Sequence, residues 1–102
     1  MSRRSDPSKT AGQDAKIERT CVLDKDFRED LQWWIEQKPR LAAKLLDLIE
    51  ATLRDPFSGI GKPEPLKQLG ANIWSRRLSE EHRLVYVVLH DRIVFVQGRY
   101  HY

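Results

Sequence analysis

Three short apolar runs in the C-terminal half most constrain the fold of this 102-residue chain. They span residues 73–78, 84–89 and 92–97 and are rich in valine, isoleucine, leucine, phenylalanine and tyrosine, which favour strands. Ser79-Glu80-Glu81 lies between the first and second runs, and His90-Asp91 lies between the second and third. A parallel crossover needs about a dozen residues or more, so connections this short predict antiparallel pairing.

Two apolar stripes at helical period precede these runs. Asp24 or Asp26 can cap the first helix, Pro39 ends it and suits the first turn of the second, and Pro56 must end the second. The short connection predicts an antiparallel helical hairpin. The stripe residues are Phe27, Leu31, Trp34 and Ile35 in the first helix, and Leu41, Leu45, Leu48, Ile49 and Leu53 in the second.

The remaining segments complete the predicted element order. Residues 16–23 contain Ile17, Thr20 and Val22 and predict a first strand, in which Cys21 is expected to be buried. Residues 57–65, FSGIGKPEP, predict a shaped loop because they hold two glycines and two prolines. The order β-α-α-β-β-β predicts the α+β class, a small, largely antiparallel sheet with the two-helix hairpin packed on one face.

Composition limits the organisation and the compartment. Residues 1–15 hold no large apolar residue after Met1 and predict a disordered N-terminal arm, which leaves residues 16–102 as a single domain. The chain has no apolar run long enough for a membrane span and no secretory signal, so we expect a cytoplasmic protein without a membrane partner. The single cysteine excludes an internal disulfide framework and a cysteine-based zinc site.

Positive charge is concentrated in the predicted strands. The chain carries a net charge of +3, and residues 56–102 alone hold seven basic and four acidic side chains. A polyanion would therefore meet the C-terminal half first.

The polar residues of that half include a set suited to phosphodiester chemistry. Glu64 lies between two prolines, Arg76 and Arg77 are adjacent in a strand and so point to opposite faces, and the chain ends Arg99-Tyr100-His101-Tyr102. RNA supplies its own nucleophile, the 2′-hydroxyl, so a base, an acid and cationic groups suffice to cleave it. The histidines and Glu64 lack the spacing of metal ligands, so no metal or cofactor is expected.

Each of these residues also has a plainer interpretation. Glu64 can be an ordinary loop residue, Arg76 and Arg77 an exposed charged face, and His82 and His90 solvated turn residues. Trp33 and Trp34 are consecutive, so only one can face the sheet. The pattern alone predicts a basic α+β domain and leaves a nucleic-acid role open.

Three blocks of sequence resemble the YoeB branch of the RelE/ParE toxin superfamily. They are DPFSGIGKPEPLK (Asp55–Lys67), WSRRLSEEHRLVY (Trp74–Tyr86) and the terminal RYHY (Arg99–Tyr102). The resemblance implies a RelE-like fold over residues 16–102. The turn before Trp74 departs from the family because Gly70 comes early and Asn72 stands nearer the tryptophan. Since asparagine tolerates positive φ, we expect that turn to persist.

The resemblance also implies roles for individual residues. Glu64 matches the family's proposed general base for the 2′-hydroxyl, and His101 matches the proposed general acid for the 5′ oxygen. Arg83 matches the arginine that stabilises the pentacovalent phosphorane, and Tyr102 completes the catalytic set. Lys67 and Arg77 match basic positions that hold RNA, and the neighbouring Arg76 joins them as a candidate RNA-binding residue.

The implied activity is that of a metal-independent, ribosome-dependent mRNA endoribonuclease toxin that inhibits translation. Its partners would be mRNA in the ribosomal A site, ribosomal RNA and a YefM/Phd-type antitoxin, and relatives often form homodimers. Two alternatives stay open: a non-nuclease, ParE-like toxin directed at gyrase, and a degenerate domain that only binds its antitoxin.

Overall fold

The computed structural model describes residues 17–100, which form two helices and five strands. The helices are α1 (Lys25–Gln37) and α2 (Pro39–Arg54). The strands are β1 (Thr20–Leu23), β2 (Glu64–Pro65), β3 (Ile73–Arg77), β4 (Arg83–Val88) and β5 (Arg92–Gln97).

The five strands form one sheet in the order β1-β5-β4-β3-β2. Antiparallel pairs join β2 to β3, β3 to β4 and β4 to β5, whereas β1 runs parallel to β5. A parallel pair needs a long connection, and here both helices and three strands lie between β1 and β5 along the chain. The α+β class and the largely antiparallel sheet are confirmed.

The predicted loop at 57–65 contains the one element that the sequence pattern missed. Glu64 pairs with Ser75, and Pro65 pairs with Trp74, at the edge of the sheet. The order of elements along the chain is therefore β-α-α-β-β-β-β rather than β-α-α-β-β-β. An edge is where a strand tolerates proline, since the missing N–H need not serve an inner neighbour.

The helical hairpin forms as the sequence predicts. Asp24 occupies the N-cap of α1, Pro39 begins α2, and Asp55 is the C-cap of α2 directly before Pro56. The second stripe faces the core, whereas Ile35 of the first stripe is 48% exposed, so the first stripe is buried only in part. The buried core joins both helices to one face of the sheet and includes Phe27, Trp34, Leu45, Leu48, Leu84, Tyr86, Ile93 and Phe95.

Strand alternation leaves a second, more polar sheet face. Leu84 and Tyr86 of β4 point toward the helices. Arg83 and Val85 alternate with them along the strand and therefore point away. On β3, Ser75 and Arg77 share that outward side because they pair with Val85 and Arg83. The outward face therefore carries Arg83, Ser75 and Arg77.

One turn and one side chain remain to be compared with the sequence predictions. Asn72 adopts a φ of 73°, which confirms the turn expected before Trp74. Cys21 is exposed, which contradicts the expected burial, although partial burial still raises the pKa of its thiol. No helix within residues 17–100 is long and apolar enough to cross a membrane. The arm expected at residues 1–15 lies outside the described residues.

Candidate functional site

Glu64 is fixed at the sheet edge, with its carboxylate open to solvent. It pairs with Ser75 of β3, and the prolines on both sides restrict the backbone around it. The main chain continues this pairing, since Leu66 N–H donates to Ile73 O at 2.8 Å. The Glu64 side chain is 53% exposed, so a strand rather than a flexible loop presents an accessible carboxylate.

Arg83 brings a guanidinium to the same place from β4. Its Nη1 donates to Ser75 Oγ at 3.2 Å and lies 3.6 Å from Glu64 Oε1. The Arg83 side chain is only 15% exposed, so its charge is held in a fixed direction and partly shielded from water. Glu64 and Arg83, both predicted from the sequence, therefore meet across β3 on the outward face. Ser75 is a site residue that the sequence did not reveal, because its place depends on the missed strand β2.

Two exposed basic residues lie beside this pair along the chain or across the sheet. Arg77 is the direct cross-strand partner of Arg83, and Lys67 follows β2 in the turn closed by Leu69 N–H and Leu66 O. Like charges directly opposite each other in a sheet are destabilising. An anion bound between Arg77 and Arg83 would relieve that repulsion.

Arg76 differs from its neighbour Arg77, as strand alternation predicts, but its expected exposure is wrong. Its side chain is fully buried on the helical side of the sheet. The guanidinium donates to three main-chain carbonyls, those of Asp55 at 2.6 Å, Ser58 at 3.0 Å and Ile60 at 2.7 Å. It has a structural role in anchoring the loop that leads to β2, so we remove it from the candidate RNA-binding residues.

A hydroxyl group joins this buried arginine to the core. Tyr86 Oη accepts from Arg76 Nε at 3.3 Å and donates to Pro56 O at 2.7 Å. Burial raises the pKa of Tyr86, an effect that the positive charge of Arg76 opposes. The phenol therefore stays protonated and available as a donor.

The last described residue, Tyr100, lies against the candidate site. Its carbonyl accepts from Arg83 N–H at 3.3 Å, and its own N–H donates to His82 Nδ1 at 2.6 Å. His82 is 13% exposed and packs edge-on against Trp34, so the expectation of a solvated turn residue is wrong for it. His90 is exposed, as expected. The predicted catalytic residues His101 and Tyr102 lie outside the described residues.

Potential metal ligands do not cluster among the described residues. Between Ile17 and Tyr100, no three or more histidine, cysteine, aspartate or glutamate side chains gather into a metal-binding group. What the outward face offers is an accessible carboxylate, a partly shielded guanidinium and the exposed cation of Arg77. That set suits a phosphate group and proton transfer beside it.

Comparison with known proteins gives one consistent result. The family of YoeB-like toxins of bacterial type II toxin–antitoxin systems matches residues 23–102. Toxin YoeB of Escherichia coli (strain K12) is 49% identical over 74 residues, which cover 72% of this chain and 88% of that toxin. The YoeB/ParE toxin from Agrobacterium tumefaciens has a TM-score of 0.77 at 41% identity, over 81% of this chain and 99% of that one.

The Staphylococcus aureus toxin offers two further structural matches. In a YoeB dimer its TM-score is 0.76 at 31% identity, covering 83% of this chain and 99% of that chain. In a YoeB–YefM complex the TM-score is 0.72 at 32% identity, with 86% and 100% covered. The sequence blocks, the fold and these matches agree: the chain belongs to the family of YoeB-like toxins of bacterial type II toxin–antitoxin systems.

Proposed function

We propose that this toxin is an mRNA endoribonuclease that cleaves in the ribosomal A site and so inhibits translation. The observation that carries the proposal is the constellation of Glu64, Ser75 and Arg83 on the outward face of the sheet. Family membership supplies the context of a toxin with an antitoxin.

The proposed reaction needs no nucleophile from the protein. Glu64 removes the proton from the 2′-hydroxyl, whose oxygen attacks the adjacent phosphorus and forms a 2′,3′-cyclic phosphate. Arg83 stabilises the negative charge that builds on the phosphoryl oxygens. His101 donates a proton to the departing 5′ oxygen, which leaves as a 5′-hydroxyl, and Tyr102 completes the site.

The contacts of the free protein suit this sequence of events. Glu64 and Arg83 face each other at 3.6 Å, a distance too long for a direct hydrogen bond. A phosphate that binds Arg83 would compete with the Glu64 carboxylate for the guanidinium. The displaced carboxylate would then be free to act as the base. Lys67 and Arg77 are exposed, and we propose that they contact the RNA backbone.

The ribosome would supply what this small site lacks. A base and an acid act efficiently only when the 2′-hydroxyl, the phosphorus and the leaving oxygen are held in line, and orientation of this kind contributes much of the catalysis. We therefore propose that mRNA held in the A site is the substrate and that ribosomal RNA contacts the basic face.

The proposed regulation follows the staphylococcal relative, which is solved with YefM. We propose a YefM-type antitoxin partner that covers or distorts the site until it is degraded, cytoplasmic action, and pairing of two toxin copies as in the staphylococcal dimer. A disordered inhibitory segment suits such control because it is readily removed by proteolysis.

The proposal is tested by the chemistry of the products. Purified toxin is added to ribosomes programmed with a defined mRNA, and the RNA ends are mapped. We expect cuts in the A-site codon with 2′,3′-cyclic phosphate and 5′-hydroxyl ends, and loss of cutting when the YefM-type antitoxin is added. Intact mRNA, or 3′-hydroxyl and 5′-phosphate ends, would overturn it.

The same preparation separates the two alternatives. A gyrase-directed toxin would leave the mRNA intact and alter DNA supercoiling when gyrase and plasmid are supplied. A domain that only binds its antitoxin would do neither.

A further inference from the structure

The main chain after β5 is held mostly by side chains of α1, β5 and the turn before β4. β5 ends at Gln97, and the next three residues, 98–100, run past α1 toward Arg83. Gly98 is bound on both sides by α1, since its N–H donates to Asp30 Oδ2 at 2.9 Å and its carbonyl accepts from Trp34 Nε1 at 2.8 Å. The start of the segment is therefore anchored to the helical layer.

The end of the segment is anchored to the sheet. Tyr100 N–H donates to His82 Nδ1 at 2.6 Å, and Tyr100 O accepts from Arg83 N–H at 3.3 Å. Gln97 Nε2 lies 3.1 Å from the carbonyl oxygens of both Arg99 and Tyr100. Five main-chain polar groups of residues 98–100 thus have a partner at hydrogen-bond distance.

Stacked rings fix the same segment from the side. The Arg99 guanidinium lies 3.7 Å from the centre of the Trp33 ring and 4.7 Å from that of Tyr100. Trp34 packs edge-on against His82, with ring centres 4.8 Å apart. The consecutive tryptophans of α1 therefore contact different residues. Trp33 stacks on Arg99, whereas Trp34 bonds to Gly98 and packs against His82.

Tyr100 pays a conformational cost for this position. Its φ is 67°, in the left-handed region that a residue with a Cβ seldom occupies. The left-handed form costs such a residue about 1–2 kcal/mol, so surrounding contacts must compensate. Tyr100 N–H donates to His82 Nδ1, and Tyr100 O accepts from Arg83 N–H and from Gln97 Nε2. Arg83 also supplies the guanidinium of the candidate site, so the main chain at Tyr100 is bonded to the main chain of a site residue.

We propose that His82 is a positioning residue for the cleavage reaction: by accepting the Tyr100 N–H it fixes the main chain at Tyr100, the residue to which the proposed catalytic residues His101 and Tyr102 are joined. This inference rests on the proposed function, because fixing Tyr100 affects cleavage only if His101 and Tyr102 take part in the reaction. His82 itself contacts no reacting atom.

The test separates the acceptor atom from the ring. His82→Phe keeps a flat ring against Trp34 and removes the acceptor, whereas His82→Asn keeps an oxygen near the position of Nδ1 and removes the ring. Single-turnover cleavage on programmed ribosomes is measured for both, as a function of toxin concentration. Tyr100 amide hydrogen exchange is measured on the free proteins.

We expect His82→Phe to lose Tyr100 protection and about 10²-fold in the maximal rate, the loss typical of a small misplacement, with little change in half-saturating concentration. His82→Asn should keep protection and stay within about tenfold of wild type. Gln97→Met, which removes the second anchor of Tyr100 O, should repeat the effect of His82→Phe in direction and serves in its place if that variant does not fold.

The outcomes are distinct. Wild-type rate in His82→Phe together with lost Tyr100 protection would overturn the positioning role. Equal rate losses in His82→Phe and His82→Asn, with protection kept in both, would also overturn it. A wild-type protein that cuts no mRNA would instead overturn the proposed function, and the positioning role with it.

Discussion

Glu64 and Arg83 meet across an intervening strand. Glu64 Oε1 on β2 lies 3.6 Å from Arg83 Nη1 on β4, and Ser75 of β3 accepts a hydrogen bond from the same Nη1 between them. The carboxylate is half exposed and the guanidinium largely covered. An accessible carboxylate beside a fixed cation suits the proposed 2′-hydroxyl attack on a phosphate.

Replacing Arg83 with lysine tests whether the fixed guanidinium matters beyond its charge. Lysine keeps one positive charge but loses the planar set of donors that matches phosphoryl oxygens. Removing one preorganised donor of this kind costs about 10²–10³ in rate, so we expect a loss of that size in single-turnover cleavage. Arg92→Lys, at the exposed start of β5, is the matched control and should cleave at the wild-type rate. An Arg83→Lys enzyme as fast as the control would contradict the role of the guanidinium.

Much of the fold follows from local pattern. Helical period and the two prolines predict both helices, because Pro39 and Pro56 act through steric effects within the local chain. The three C-terminal strands follow from composition and short connections. β2 does not, because a two-residue strand containing proline exists only through its pairing with β3. Ile35 and Cys21 show the same limit, since periodicity indicates a face but not how far the neighbouring layer extends.

The site residues that the sequence predicts are also those with local signals, and the missed ones depend on long-range partners. Glu64, Arg83, Lys67 and Arg77 carry sequence signals, and the structure brings Glu64 and Arg83 together. Ser75 and His82 were missed because their roles come from long-range partners, a paired strand and the segment after β5. The misassigned exposure of Arg76 has a similar cause, since a buried arginine needs carbonyl acceptors from a distant loop, which no local pattern announces.

Arg76 and Arg77 offer a matched pair for testing that buried role. Arg76→Met removes a guanidinium that serves three carbonyls and Tyr86, so we expect the free energy of unfolding to fall by about 2–4 kcal/mol. Arg77→Met changes an exposed side chain and should stay within about 0.5 kcal/mol of wild type. Urea denaturation measures both, and equal losses in the two variants would refute the structural assignment of Arg76.

Asp30 makes stability depend on pH. Burial raises its pKa above the ordinary value of 3.8, and the hydrogen bond from Gly98 N–H and the charge of Arg99 oppose this only in part. The folded protein therefore holds the Asp30 proton more tightly than the unfolded chain does. This contribution to stability is fully present below pH 3.8 and is lost as the pH rises through the folded-state pKa.

Asp30→Asn does not titrate and lacks that decline. The free energy of unfolding of the wild type, minus that of Asp30→Asn, should fall as the pH rises from below 3.8 to neutrality. Urea denaturation across this range measures the difference, with Asp47→Asn on the exposed face of α2 as a control for changing one charge. A difference that grows in favour of the wild type would contradict the direction of the pKa shift.

The most direct measurement is the single-turnover rate of Glu64→Gln on programmed ribosomes. Glutamine keeps the size and polarity of the side chain but cannot take the 2′-hydroxyl proton, so we predict a rate about 10²–10⁴-fold below wild type. Glu50→Gln, an exposed carboxylate on α2, should cut at the wild-type rate. Cleavage by Glu64→Gln as fast as by Glu50→Gln would contradict the account.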